Sequence, residues 1–224
     1  MVEVAALETP AGTLSLAERA YESLRDRLVT LDVAPGEPLN DDALARSLGV
    51  GRTPVREALK RLELDRLVVT YPRRGTFATR VEITDLAYIS EIRAELEPLA
   101  AARAARVATP TARQTLREVL VAADGLDERA PVVEVLRADA AIHRTIYAAA
   151  ANPHLQDALV RYNNLSTRIW CLVMDRLEGV AGHLHEHRDL VEAIIDGDSG
   201  RAADLSRSHV ERFEAAVRVA LTTV

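Results

Sequence analysis

The chain has 224 residues, 48% of them apolar and 28% charged, enough for a packed core in one large or two small domains and too apolar for a disordered chain. No run approaches the ~18 apolar residues of a membrane span, and the first residues lack the basic start and apolar core of a signal peptide. The single cysteine, Cys171, excludes an internal disulfide, and together these features point to a cytoplasmic protein with no membrane partner. The net charge of −6 argues at first against a polyanionic partner, but the charge is unevenly placed. Residues 1–45 carry three arginines against nine acids, residues 46–80 carry nine basic groups against three acids, and residues 81–224 carry 16 against 22. A polyanion such as DNA should therefore dock on the short basic segment.

Residues 1–14 mix Gly, Pro, Thr and Ala and read as a flexible tail. A helix is predicted from Ser15 to Leu31, ended by Pro35-Gly36 and Pro38. Asn40 can cap a second helix whose first turn carries Asp41 and Asp42 and which ends at Leu48-Gly49. A third runs from Arg52 to Asp65, with Pro54 tolerated in its first turn. Val68–Tyr71 and Thr76–Thr79 read as the strands of a hairpin turning at Pro72-Arg73-Arg74-Gly75. The remainder is predicted helical, at 84–108 (kinked by Pro98), 110–128, 131–151, 153–178, 181–196 and 199–222. The fold class is thus mostly α: a winged helix-turn-helix with a small hairpin over 15–80, then a six-helix bundle over 81–224.

Segment 41–60 has helix-turn-helix spacing: Ala45 is small where two helices cross, Gly49 permits the turn, and Val55, with Leu44, Leu48, Leu59 and Leu62, faces the core. Arg52, Arg56 and Lys60 repeat every four residues and make one stripe, suited to entering a major groove where arginine pairs bidentately with guanine. Arg73 and Arg74 at the hairpin tip can reach a minor groove or phosphates, with Gly75 allowing close backbone approach.

The run Leu48-Gly-Val-Gly-Arg-Thr-Pro-Val-Arg-Glu-Ala-Leu-Lys-Arg-Leu-Glu63, followed by Leu67-Val68 and Arg74-Gly75, resembles the winged helix-turn-helix of the GntR family of bacterial transcription regulators. The resemblance implies base contacts by Arg52 and Arg56, and groove or phosphate contacts near Thr53 and Gly75. Two positions depart from the family pattern. Gly51 stands where a Ser or Thr usually caps the recognition helix, and Asp42 stands where some members carry a DNA-contacting arginine.

In the second half, polar residues fall on apolar helix faces. Asp139 and His143 lie in the stripe of Leu136, Ile142 and Ile146; His187 sits among Leu190, Val191 and Ile194; His209 among Leu205 and Phe213; Arg93 among Leu86, Ile89 and Leu96. Asp139 and His143 share a face. His187 precedes Asp198 by 11 residues and His209 follows it by 11, so an antiparallel hairpin turning there puts them at one height, ~16 Å from the turn. One carboxylate and three imidazoles suit a divalent metal ion, zinc first, with nickel, manganese or iron as alternatives. His183 could substitute as a ligand, His185 and His154 read as solvated, and Trp170 and Cys171 as core. Arg93 offers a planar fork for a small carboxylate effector; the competing reading is an internal pair with Glu97 one turn on.

Asp139-x3-His143, Asn152-Pro153, His187-x2-Leu190, Ala193-Ile194, Gly197-Asp198, Ala202 and His209 resemble the C-terminal effector domain (FCD) named after the fatty-acid regulator FadR, and Arg93-x3-Glu97-Pro98-Leu99 fits the same class. The six-helix count is similar to its shorter VanR branch. Metal-containing members use this Asp and three His as ligands, with an organic acid completing the coordination. The implied protein is a homodimeric, metabolite-responsive repressor on a palindromic operator of double-stranded DNA. A sensor of the metal itself is the alternative, and a metal-dependent hydrolase a weaker one, since His183-Leu-His-Glu-His-Arg-Asp189 does not supply H-E-x-x-H.

Overall fold

The computed structural model describes residues 14–126, 130–174 and 180–222, with backbone alone for 180–185 and 222. The tail expected over 1–14, apart from its last residue, lies outside the described residues, as do the helix ends expected at 127–128 and 175–178 and the side chains of His183 and His185.

The winged half runs α1 (Leu16–Val29), β1 (Pro38–Leu39), α2 (Asp41–Leu48), α3 (Arg52–Leu64), β2 (Val68–Tyr71) and β3 (Gly75–Ala78). Ser15 and Asn40 start α1 and α2 by accepting from the backbone N–H of Glu18 at 3.1 Å and of Ala43 at 2.9 Å. These bonds fill donors that a first helical turn leaves open. α2 stops at Gly49, whose φ of 63° is left-handed, and the Val50 N–H then returns to the Ala45 carbonyl at 3.1 Å. A residue without Cβ makes this turn at little cost, and it aims α3 across α2. Under the helices Leu24, Leu28, Val55, Ala58, Leu62 and Leu67 are fully buried in one core.

The expected hairpin is present, its second strand one residue earlier than predicted, with Thr70 opposite Thr76. A third strand, β1, extends it to an antiparallel sheet of order β1-β3-β2. Two residues are too few to show alternation, and Pro38 is tolerated because β1 is an edge. Arg73 adopts φ 62° at the hairpin tip, an uncommon backbone for a side chain with a Cβ.

The helical half comprises α4 (Asp85–Val107), α5 (Pro110–Asp124), α6 (Val132–Ala149), α7 (Pro153–Cys171), α8 (Val180–Asp196) and α9 (Ser199–Thr222). α4 continues through Pro98 and is the central helix, packed against α6, α7, α8 and, most extensively, α9. Ala100, Ala101, Ala104 and Ala105 are buried along it, so neighbours approach closely from several sides and no single apolar stripe develops. α8 and α9 form a tight hairpin: Gly197 is left-handed at φ 81°, the Asp198 N–H reaches the Ala193 carbonyl at 3.0 Å, and the Asp198 carboxylate accepts from the Arg201 N–H at 3.0 Å. Trp170 packs edge-on against Phe213 in the core, as its apolar surroundings predicted. No helix among the described residues is long and apolar enough to cross a membrane.

The halves meet where the chain leaves β3. Arg168 of α7, only 1% exposed, donates to the Thr79 hydroxyl at 2.6 Å and to the Thr79 carbonyl at 2.7 Å. Thr79 in turn donates to the Arg66 carbonyl at 2.9 Å. Burial lowers the guanidinium of Arg168 to about 10, because its hydrogen-bond partners here are neutral groups. Beside it, the half-buried Cys171 donates to the Val29 carbonyl at 3.4 Å, and burial pushes its thiol up to about 12.

Candidate functional site

α3 buries Val55, Ala58, Leu59 and Leu62 and thereby turns its opposite face outward. Arg52, Thr53, Arg56 and Lys60 are all exposed on it, and Arg73, Arg74 and Gly75 are exposed at the wing tip. Two of these arginines are already engaged. Arg56 Nε donates to Asp41 Oδ2 at 2.7 Å, and Arg52 Nε lies 3.1 Å from Asp42 Oδ1. Both acids occupy the first turn of α2, where their charge also suits the helix dipole. The hydrogen bond to Asp41 raises the basicity of Arg56. Arg74 lies over the Tyr71 ring, 5.8 Å from its centroid.

In the helical half Asp139, His143, His187 and His209 converge, all buried, with one candidate ligand atom from each lying within 4.8 Å of the others. α6 supplies the first two, one turn apart, and the α8–α9 hairpin supplies the others at matched heights. His187 Nε2 lies 3.2 Å from His143 Nε2 and 3.6 Å from Asp139 Oδ1, and His143 Nε2 lies 3.8 Å from the same oxygen. Donors bound at 2.0–2.1 Å to one tetrahedral ion sit ~3.3 Å apart, so these separations are close to what a metal needs. The rings of His187 and His209 are 4.4 Å apart between centroids.

The surroundings orient these donors. Glu97 Oε1 accepts from Arg93 Nε at 2.6 Å and from the Tyr147 hydroxyl at 2.9 Å. Tyr147 lies 3.1 Å from His143 Nδ1. Since the tyrosine proton goes to the carboxylate, His143 Nδ1–H donates to the tyrosine oxygen, which leaves the Nε2 lone pair facing the other donors. His209 Nδ1 likewise donates to Glu186 Oε2 at 3.2 Å, turning its Nε2 inward. Burial pushes the Asp139 carboxyl up to about 7, Arg93 pulling against it and Glu97 reinforcing it. The donor set, one carboxylate and three imidazoles with His143 and His209 oriented by Tyr147 and Glu186, fits a divalent ion of the borderline kind.

Arg93 is 2% exposed and, besides Glu97, donates from Nη1 to Ser166 Oγ at 2.7 Å. The internal pair with Glu97 weighed at the sequence level therefore exists, and a second partner comes from α7. Burial alone would lower the arginine's basicity, but the charge of Glu97 and its hydrogen bond outweigh it.

A family model for the FCD domain matches residues 88–212, and one for bacterial regulatory proteins of the gntR family matches residues 16–78. The chain belongs to the GntR family, in the class that carries an FCD domain. Among relatives of this GntR regulator is an HTH-type transcriptional regulator in an unstable DNA locus of Streptomyces ambofaciens, 30% identical over 193 residues, which span 85% of this chain and 80% of that protein. The HTH-type transcriptional repressor RspR of Escherichia coli is 24% identical over 206 residues, covering 92% of this chain and 90% of RspR. In fold, the GntR chain is similar to E. coli McbR/YncC, with a TM-score of 0.79 at 22% identity over 92% of this chain and 99% of that one. The GntR regulator thus acts on transcription through DNA, and the hydrolase alternative falls because the relatives are regulators, not enzymes.

Sequence reasoning missed several partners around these sites. Tyr147 was detectable in principle, as the next step of the four-residue ladder Asp139, His143, Tyr147. Glu186, Ser166 and the pairing of Asp41 and Asp42 with α3 were not, because each depends on how separate helices cross.

Proposed function

We propose that this regulator is a homodimeric repressor that binds a palindromic operator and releases it when a small carboxylate binds at a divalent metal in the FCD domain. We take residues 15–80 as the DNA-binding unit, with Arg52, Thr53, Arg56 and Lys60 reading the major groove and Arg73, Arg74 and Gly75 on the adjacent groove or phosphates. Residues 81–224 form the sensing and dimerising unit. The similarity to a repressor supports the sign of regulation. The observation that carries the sensing role is the buried convergence of Asp139, His143, His187 and His209, with the outer nitrogens of His143 and His209 fixed by Tyr147 and Glu186.

These four residues would hold the ion, zinc first, with nickel, manganese or iron as alternatives. A bound ion supplies positive charge and a coordination position for an anionic ligand. Arg93, one turn from Glu97 and bonded to Ser166, is the protein's own cation for that carboxylate. A carboxylate that takes the Arg93 fork competes with Ser166 on α7, and two residues along α7 Arg168 holds Thr79 at the base of the wing. Ligand occupancy and wing placement thus bear on one helix.

The test is metal-dependent stability and operator binding. An ion bound only by the folded state stabilises it by ~4 kcal/mol at a thousandfold excess over Kd. His187→Ala or His209→Ala removes most of that gain, whereas His185→Ala retains it. Equal metal content in wild type and a His143→Ala/His209→Ala variant overturns the site. Arg93→Ala leaves the metal bound and weakens carboxylate binding ~10-fold or more.

One feature favours a second reading, in which the metal itself is the signal. Four protein donors saturate a tetrahedral ion, as in closed structural sites. Operator release by metal alone, with organic acids absent, selects this reading. Release that needs both selects the first.

A further inference from the structure

The outward face of α3 carries Glu57 among its cations, and α2 brings two further anions to it in a regular placement. Asp41 and Asp42 are consecutive residues in the first turn of α2, and each meets a different arginine of the following helix, Arg56 and Arg52, which lie one turn apart. Both contacts are closest at Nε, the Arg56 one as a hydrogen bond and the Arg52 one as an ion pair. A guanidinium gripped at Nε keeps its far edge, Nη1 with Nη2, as a pair of parallel donors, and that edge matches O6 and N7 of guanine. Side chains of Arg52 and Arg56 are 57% and 59% exposed, so a duplex can reach them. Asp42 is itself 51% exposed, and a carboxylate oxygen standing next to a base edge can accept from an amino group of cytosine or adenine but repels a phosphate.

We propose, building on the recognition-helix reading above, that Asp41 and Asp42 determine base specificity: Asp41 holds Arg56 by a hydrogen bond at Nε, Asp42 holds Arg52 by charge from the same side, both leave the guanine-matching edge outward, and both oppose docking that uses phosphates alone. Each arginine–aspartate couple then selects a guanine in the operator half-site. The arginines contribute attraction to guanine. The aspartates restrict arginine rotamers that would reach phosphates and put negative charge where nonspecific DNA would bring more. This is positioning and discrimination, and it sacrifices general DNA affinity on a face where only Lys60 extends the cationic stripe.

The experiment uses the full-length protein. A duplex selected by the wild type from a random-sequence library serves as the specific probe, its single-pair variants as discrimination probes, and an unselected duplex of equal length and base composition as the nonspecific probe. Affinities are measured across a salt series for the wild type, Asp41→Asn, Asp42→Asn, the double Asn variant and Arg52→Ala/Arg56→Ala. The double Asn variant is expected to bind the unselected duplex ~10-fold more tightly at low salt, with a salt slope steeper by ~1–2 as freed arginines turn to phosphates. Its preference for guanine at the contacted pairs should fall ~10-fold. These movements have opposite signs, whereas a folding defect lowers both affinities together, and that joint fall overturns the proposal. Wild-type base preference with unchanged nonspecific affinity also overturns it. If Arg52→Ala/Arg56→Ala keeps wild-type affinity for the selected duplex, the recognition-helix reading itself fails. If the arginine variant loses discrimination and the Asn variants do not, only the role of the aspartates fails.

Discussion

In the winged half Arg52 and Arg56 meet Asp42 and Asp41 with more than half of each arginine side chain exposed; in the helical half Arg93 meets Glu97 with both side chains 3% exposed. The chemical pairing is the same and its consequence is not. An ion pair in water is screened and contributes little to folding, so the α2–α3 couples are free to serve recognition. A buried pair has already given up its hydration, and removing one member strands the other. Charge changes in the first region should therefore alter DNA binding without altering stability, and those in the second should alter both.

The largest break of this contrast is Glu97→Ala. It leaves Arg93 buried without its carboxylate and removes the partner of Tyr147, and it is expected to cost ~3–5 kcal/mol in a denaturant melt. A loss no larger than that of an exposed pair would mean that water reaches this network freely. Thr79→Val comes next. It deletes the hydroxyl that receives Arg168, leaving a buried cation short of one acceptor, and is expected to cost ~1.5–3 kcal/mol. It also loosens the contact beside Cys171, so alkylation of that thiol, slow in the wild type because burial holds its pKa near 12, should speed up. An unchanged alkylation rate would show the joint intact without the hydroxyl. Smallest in stability is Arg73→Ala/Arg74→Ala at the exposed wing tip. Its thermal melt should match the wild type, while binding to any duplex weakens and the salt slope shrinks by ~1–2. A lower melting temperature there would place the wing tip in the folding core after all.

Legibility followed the same divide. The winged half was readable because its signals are local: Asn40 before Asp41 and Asp42, Gly49 at the turn, the Arg52–Arg56–Lys60 stripe and the glycine of the hairpin. β1 escaped because two residues carry no period. In the helical half the four-residue step from Asp139 to His143 and the symmetry of His187 and His209 about Asp198 placed four residues correctly in one cluster. The layer around them was harder to read. Glu186 faces His209 from across the hairpin, Ser166 reaches Arg93 over 73 positions, and Thr79 meets Arg168 over 89. α4 hid its central place because a helix buried on many sides has no preferred face, and its alanines resemble those of any helix.

The Thr79–Arg168 contact also bears on how freely the two halves can be exchanged between regulators. Thr79 belongs to the chain leaving the wing and Arg168 to the helical half, yet each completes the other's hydrogen bonding. A chimera joined between β3 and α4 inherits one without the other unless both parents carry the pair. A DNA-binding half grafted onto a helical domain lacking an equivalent of Arg168 keeps a hydroxyl and a carbonyl short of their donor. The reciprocal graft buries a guanidinium with no acceptor. Modularity in this architecture is thus limited by two side chains at the seam, and transplants should carry residues 79 and 168 together.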